Sequence, residues 1–184
     1  MNGISRENAA KIAARYFGTR RYQNTARRNG YSTWSAWDAD GREWKFQKDV
    51  SIEGPDSEKC ELVTPVLTYA DMETLQELIR QLRHAGARGC GVHIHIGAKG
   101  HTPQTLRNLA NIMASHESLI ADALNLDRGR MRQYCRTVDL RFLKELNRKK
   151  SKTMSALADI WYTSHGEDYG RSHHYNRSRY HMLN

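Results

Sequence analysis

The chain has 184 residues, enough for about one domain with a core of its own. Hydrophobic residues make up 39% and charged residues 27%, a globular composition rather than a disordered one, and no apolar run approaches the roughly 20 residues a membrane span needs. The net charge of +9 and pI near 9.6 attract polyanions, nucleic acid or nucleotide phosphates among them, without choosing between them.

The opening stretch "MNGISRENAAKIAARYF" is charged throughout and has no apolar signal core, so a cytoplasmic location is expected. Ser5 has the chemistry of a helix N-cap. Ala9, Ile12, Ala13, Tyr16 and Phe17 follow at helical spacing, and Gly18 supplies a stop. Next come "YSTWSAWDA" and "REWKFQKDVSI", two β-rich runs joined by "DADGR", which predict a hairpin around an Asp-Gly turn. "EGPDSEK" reads as a loop and "CELVTPV" as a short strand ended by Pro65.

Residues 71–85 predict a strongly amphipathic helix with Met72, Leu75, Leu78, Ile79 and Leu82 as its buried stripe. Residues 89–97, "GCGVHIHIG", predict a strand. A second long helix starts at Thr102 as cap with Pro103 in its first turn. Residues 131–147 and 153–163 also predict helices, and the final "HHYNRSRYHMLN" ends in what reads as a strand. The three cysteines, Cys60, Cys90 and Cys135, are widely spaced with no CxxC, which points to free thiols rather than disulfides or zinc. The element order predicts an α+β fold with a largely antiparallel sheet and helices packed on one face, as a single domain over residues 1–184.

Period two places His93 and His95 on one face of the 89–97 strand and Val92, Ile94 and Ile96 on the other. The apolar face is expected to pack on helices, leaving the imidazoles toward a cleft or polar partners. Three readings are open for the pair: hydrogen-bonded histidines on a wet sheet face, a metal or phosphate site, or general acid–base work. Glu61, a carboxylate inside an apolar strand, is either a solvent-facing edge residue or a ligand. Asp49 ends a β run, where a capping or turn role is the plainer alternative. Carboxylates and imidazoles on neighbouring strands would suit Mg²⁺ or Mn²⁺ with phosphates held by arginine or lysine.

The segments Trp44–Ile52 (W-K-F-x-x-D-x-S-I), Cys60–Pro65 (C-E-L-V-T-P) and Cys90–Gly97 (C-G-V-H-I-H-I-G) together resemble the amidoligase family. These are ATP-dependent carboxylate–amine ligases grouped with glutamine synthetase and glutamate–cysteine ligase. "LRNLANIMASHE", "RQYC" and "SRYHMLN" fit the family's downstream elements, so the likeness runs from about Ser5 to Asn184. The resemblance implies a glutamine-synthetase-like catalytic domain that uses ATP with Mg²⁺ or Mn²⁺ to form an acyl phosphate, which an amine then displaces. It implies Glu61 as a metal ligand and His93 as a metal or nucleotide-phosphate ligand. It further implies His95 in substrate or phosphate binding, Arg179 in phosphate binding and Asp49 toward the substrate. For Arg179 the plainer alternative is a solvated residue of a basic tail.

The family opens with a strand bearing an ExE pair and closes with a strand bearing Glu and Arg. Neither pattern is found here, so the chain is expected to be truncated at both ends, with exposed strand edges that favour oligomers. The partners implied are small-molecule or peptide carboxylates and amines, with no membrane. The alternative function is a non-catalytic nucleotide- or nucleic-acid-binding remnant of the same fold, suggested by the charge and the Arg/His-rich tail. A metallohydrolase using the HxH pair ranks third, because barrel hydrolases place that motif on their first strand.

Overall fold

The Ser5 hydroxyl accepts the N–H of Asn8 at 3.2 Å and opens helix α1, Arg6–Tyr16. The computed structural model describes residues 1–89, 91–164 and 180–183. In chain order α1 is followed by β1 (Tyr22–Asn24), α2 (Ala26–Asn29), β2 (Trp34–Trp37), β3 (Glu43–Gln47), β4 (Glu61–Val63), a 3-10 turn (Tyr69–Asp71) and α3 (Met72–His84). Then come α4 (Pro103–Ala123), α5 (Arg128–Gln133), α6 (Leu140–Lys149) and α7 (Met154–Ser164). The chain divides into two compact units, Met1–His95 and Ile96–Asn184.

The first unit is the α+β part. Its four strands lie in the order β1-β2-β3-β4, all antiparallel. The expected hairpin is β2–β3. Its register puts Ala36 opposite Trp44 and Trp34 opposite Phe46, with Leu62 of β4 next in the row. These residues form the core face. α1 lies on it through four buried alanines, Ala9, Ala10, Ala13 and Ala14. Side chains that small let the helix axis come close enough for Trp44 and Phe46 to be fully enclosed. α3 adds Leu78 and Leu82 to the same core; Ile79, expected in its buried stripe, is instead 43% exposed.

The turn between β2 and β3 is built on one carboxylate. Asp38 is 6% exposed. Its Oδ1 accepts the backbone N–H groups of Asp40 (3.1 Å) and Arg42 (2.9 Å). Its Oδ2 accepts Arg42 Nε (2.8 Å) and the indole Nε1 of Trp44 (2.9 Å). Burial pushes the Asp38 carboxyl up, but the bonds from Trp44 and Arg42 outweigh it and hold the group below its ordinary value. Arg42 reaches on to Asp71 Oδ1 at 2.8 Å. Asp71 Oδ2 accepts the Thr68 N–H and hydroxyl at 2.7 and 3.0 Å, closing a capping box. One guanidinium thus ties the hairpin turn to the start of α3. The Arg42 bond, with those from Thr68, holds the Asp71 carboxyl well below the usual range.

β1 and α2 occupy residues 22–29, where no element was expected. Three residues are too few for a periodic signal. The buried hydroxyl pair Thr25–Ser35, at 2.7 Å, holds the segment to β2.

The expected strand at 89–97 is overturned for its described residues. Residues 91–97 have no regular structure, and Val92, Ile94 and Ile96 are 87%, 82% and 82% exposed rather than in the core. The cause is at the chain's first two residues. Met1 exchanges backbone bonds with Cys60 (2.9 and 3.0 Å), and Asn2 exchanges bonds with Arg88 (3.0 and 2.8 Å). Met1–Asn2 therefore lie between Cys60 and Arg88. That separates the two by two strand spacings, about 9.5 Å. The residues after Arg88 start too far from β4 to pair with it, so no sheet face forms to bury the isoleucines.

The second unit is helical. Thr102 caps α4 by accepting the Thr105 N–H at 3.2 Å, with Pro103 in the first turn. Ala110, Val138, Phe142, Leu146 and Ile160 form its core, with the Phe142 and Trp161 rings edge to face at 4.8 Å. Asn111 and Asn147 exchange amide hydrogen bonds of 3.0 and 2.9 Å between α4 and α6. The single helix expected over 131–147 is two helices, α5 and α6. Glu117 of α4, 3% exposed, accepts the Val138 N–H with both oxygens at 2.8 and 3.0 Å. Asp139 caps α6 through the N–H groups of Arg141 and Phe142. Those bonds hold 134–139 out of the helix. Burial pushes the Glu117 carboxyl up, against the opposing pull of the Val138 bond and of His181. From the expected C-terminal strand, residues 180–183 are described, and His181 forms a parallel bridge with Arg136.

Candidate functional site

Side chains alternate along β3. With Trp44 and Phe46 turned to α1, Glu43, Lys45 and Gln47 fall on the opposite face. Register sets Gln47 opposite Glu61 and Lys45 opposite Val63. Glu61 therefore belongs to this polar face, half-buried, and its Oε2 accepts Gln47 Nε2 at 3.0 Å. Oε1 has no protein donor among the described residues. The result is a carboxylate with one oxygen fixed by an amide and the other available to a hard cation or a donor.

Glu43, on the same face, is already engaged. Its Oε1 accepts Arg28 at 2.6 Å and Asn29 at 2.9 Å. Burial raises its carboxyl, while bonds from Ser35, Asn29 and Arg28 together bring it below the ordinary value. Asp49 follows β3 in a turn, where its Oδ1 accepts the Ser51 N–H (2.9 Å) and hydroxyl (2.7 Å). That is a side-chain turn of the kind Asp commonly makes. His93 and His95 are exposed in the 91–97 segment. Arg179 lies outside the described residues.

The structure thus groups Glu61 with Gln47 and Lys45. Among the described residues it gathers no set of three or more His, Cys, Asp or Glu side chains that could hold a metal ion. Glu61 alone suits the way Mg²⁺ often binds, through one or two carboxylates with the rest of its shell from water and phosphate oxygens. A closed protein cage is not built among these residues. Gln47 and Lys45 were missed at the sequence level. The alternation of "EWKFQ" already separates them from Trp44 and Phe46, but only the β3–β4 register shows which of them meets Glu61.

Cys60, directly before Glu61, is a buried free thiol pushed by burial up to about 12, which leaves it unreactive. No helix among the described residues is long and apolar enough to cross a membrane.

Neither a curated protein nor a solved structure matches the chain. A family model described as "putative amidoligase enzyme" matches residues 1–184, the same family that the Trp44–Ile52, Cys60–Pro65 and Cys90–Gly97 motifs resemble. On that full-length match, this chain belongs to the amidoligase family.

Proposed function

We propose that the protein is an ATP-dependent carboxylate–amine ligase that works through an acyl phosphate, with Mg²⁺ or Mn²⁺ as its cation. The observation that carries this reading is Glu61, a half-buried carboxylate on the sheet face opposite α1, held by Gln47 and beside Lys45, in a chain of the amidoligase family. In such a reaction a substrate carboxylate takes the terminal phosphoryl group of ATP, releasing ADP. An amine then attacks the acyl carbon, forming the amide and expelling phosphate. A bound divalent cation would neutralise charge on the phosphate oxygens.

The chain's own residues have defined work in this scheme. Gln47 fixes the orientation of Glu61, so that Oε1 is presented as a hard oxygen ligand. Lys45 supplies a point charge on the same face for a phosphate oxygen. His93 is assigned to metal or nucleotide phosphate, His95 and Arg179 to phosphate or substrate, and Asp49 to the substrate side. The family resemblance supports these four.

The test is to trap the acyl phosphate with hydroxylamine in the presence of ATP and Mg²⁺ across a panel of carboxylates. The expected result is an ATP-dependent hydroxamate, reduced at least about a hundredfold in Glu61→Gln. No ATP-dependent product across the panel refutes the reading.

A further inference from the structure

A second feature of the first unit has no place in that chemistry. Lys11, Arg15, Arg20 and Tyr22, with Ala14 at the floor, surround an open cavity of about 480 Å³. Among the described residues none of the three cations forms an ion pair with a carboxylate. The local charge is one-sided, with seven arginines and lysines against Glu7 alone before Asp38. Cations gathered without counter-charge repel one another, and a bound anion relieves that repulsion.

Arg15 has a structural reason to be where it is, since it sits in the last turn of α1 and complements the helix dipole. Arg20 does not. It lies beyond the helix, past Gly18, with φ of +55°, and its N–H donates to Ala14 O at 2.9 Å. Glycine takes that backbone conformation freely, and other residues take it at a cost. Arg20 thus holds a costly backbone conformation while lining the cavity with two more cations. Tyr22 also lines the cavity, and its ring is held by stacking on Trp34 with centroids 6.1 Å apart.

We infer that the cavity bounded by Lys11, Arg15, Arg20 and Tyr22 binds a phosphate-bearing anion no larger than a mononucleotide. The volume lies within the range of small-ligand pockets. Guanidinium groups match phosphate oxygens in pairs, and a tyrosine face accepts a stacked base. The site does not rest on the proposed ligase reaction. Its residues come from α1 and the segment after it, and α1 covers the Trp44–Phe46 face, whereas Glu61 lies on the other face of the sheet.

The experiment is calorimetric titration of the whole protein with ADP and, separately, with pyrophosphate, in EDTA so that no divalent cation bridges a phosphate to Glu61. It covers the wild type and the variants Arg20→Gly and Lys11→Gln. Arg20→Gly is the informative change, because glycine relieves the strained backbone while deleting the cation. It is expected to melt at or above the wild-type temperature and to bind about tenfold more weakly or worse. Lys11→Gln is expected to weaken binding similarly. ADP binding tighter than pyrophosphate identifies a nucleotide using Tyr22. Equal binding with the same sensitivity to Arg20 and Lys11 identifies free phosphate as the ligand. The inference is overturned if neither probe binds, or if binding survives Arg20→Gly or Lys11→Gln undiminished.

Discussion

Asp38 offers the sharpest test of how the first unit is held together. Asparagine at this position keeps the size of the side chain but turns two acceptors into one acceptor and one donor. If the amide oxygen keeps the backbone bonds to Asp40 and Arg42, the NH₂ faces Arg42 Nε and Trp44 Nε1, two donors that now have no acceptor. The indole of Trp44 is fully buried and cannot turn to water. An unsatisfied buried donor costs about 1–3 kcal/mol, and a lost charge-assisted bond about 1.5–3 kcal/mol. Arg42 is partly exposed and keeps Asp71, which places its share at the low end. The expected loss for Asp38→Asn is therefore about 3 kcal/mol, a large part of the roughly 5–15 kcal/mol that stabilises a typical domain.

The assay for Asp38→Asn is urea unfolding followed by tryptophan fluorescence, at pH 7 and at pH 3. The sign of the pH effect follows from the depressed carboxyls of Asp38 and Asp71. Their contribution is fully present above the unfolded-state value near 3.9 and is lost as pH falls through the lower folded-state values. The wild type should lose stability over that acid range, and the variant should lose less because Asp38 no longer titrates. A loss under about 1 kcal/mol at pH 7, with the acid dependence unchanged, would refute the argument that this carboxylate organises the turn.

Three further outcomes follow from local geometry at two positions. Gly3 has φ of +81°, and a Cβ there would lie 2.6 Å from the Gly86 carbonyl oxygen, so Gly3→Ala should cost about 2 kcal/mol or more in the same unfolding assay. In the helical unit, Glu117→Gln keeps an acceptor for Val138 and removes a buried charge whose folded-state value is raised. A raised carboxyl favours folding below its unfolded value and loses that advantage as pH rises, so this variant should match or exceed the wild type at pH 7 in thermal melts. Glu117→Ala, which strands the Val138 N–H, should lose about 1–3 kcal/mol.

Where the physics is local, the sequence could be read. Ser5, the "DADGR" turn and the Thr102–Pro103 start each act within a few residues, and each is found where its chemistry put it. Where a partner from far along the chain decides, the pattern misleads. Residues 131–147 read as helical, yet Glu117, 21 residues before Val138, draws the backbone out of helical geometry. The alternation of 91–97 describes a strand with one apolar face, but alternation says only which residues share a face. Burial needs a neighbour, and Met1–Asn2 stand where that neighbour would be. The site is similar. Glu61 stands out as a carboxylate among apolar residues, while Gln47 is recognisable as its partner only through the β3–β4 register.

The placement of Met1 also marks out the open edge of β4. Its α-amino group donates to the Cys60 carbonyl at 2.9 Å, one residue before Glu61, and the chain runs from there toward Asn2 and Arg88. Anything joined ahead of Met1 in extended form would be laid antiparallel along the free edge of β4, directly beside the candidate carboxylate. Backbone laid there would take up the open hydrogen-bonding edge of β4 and hold the strand that carries Glu61 from both sides.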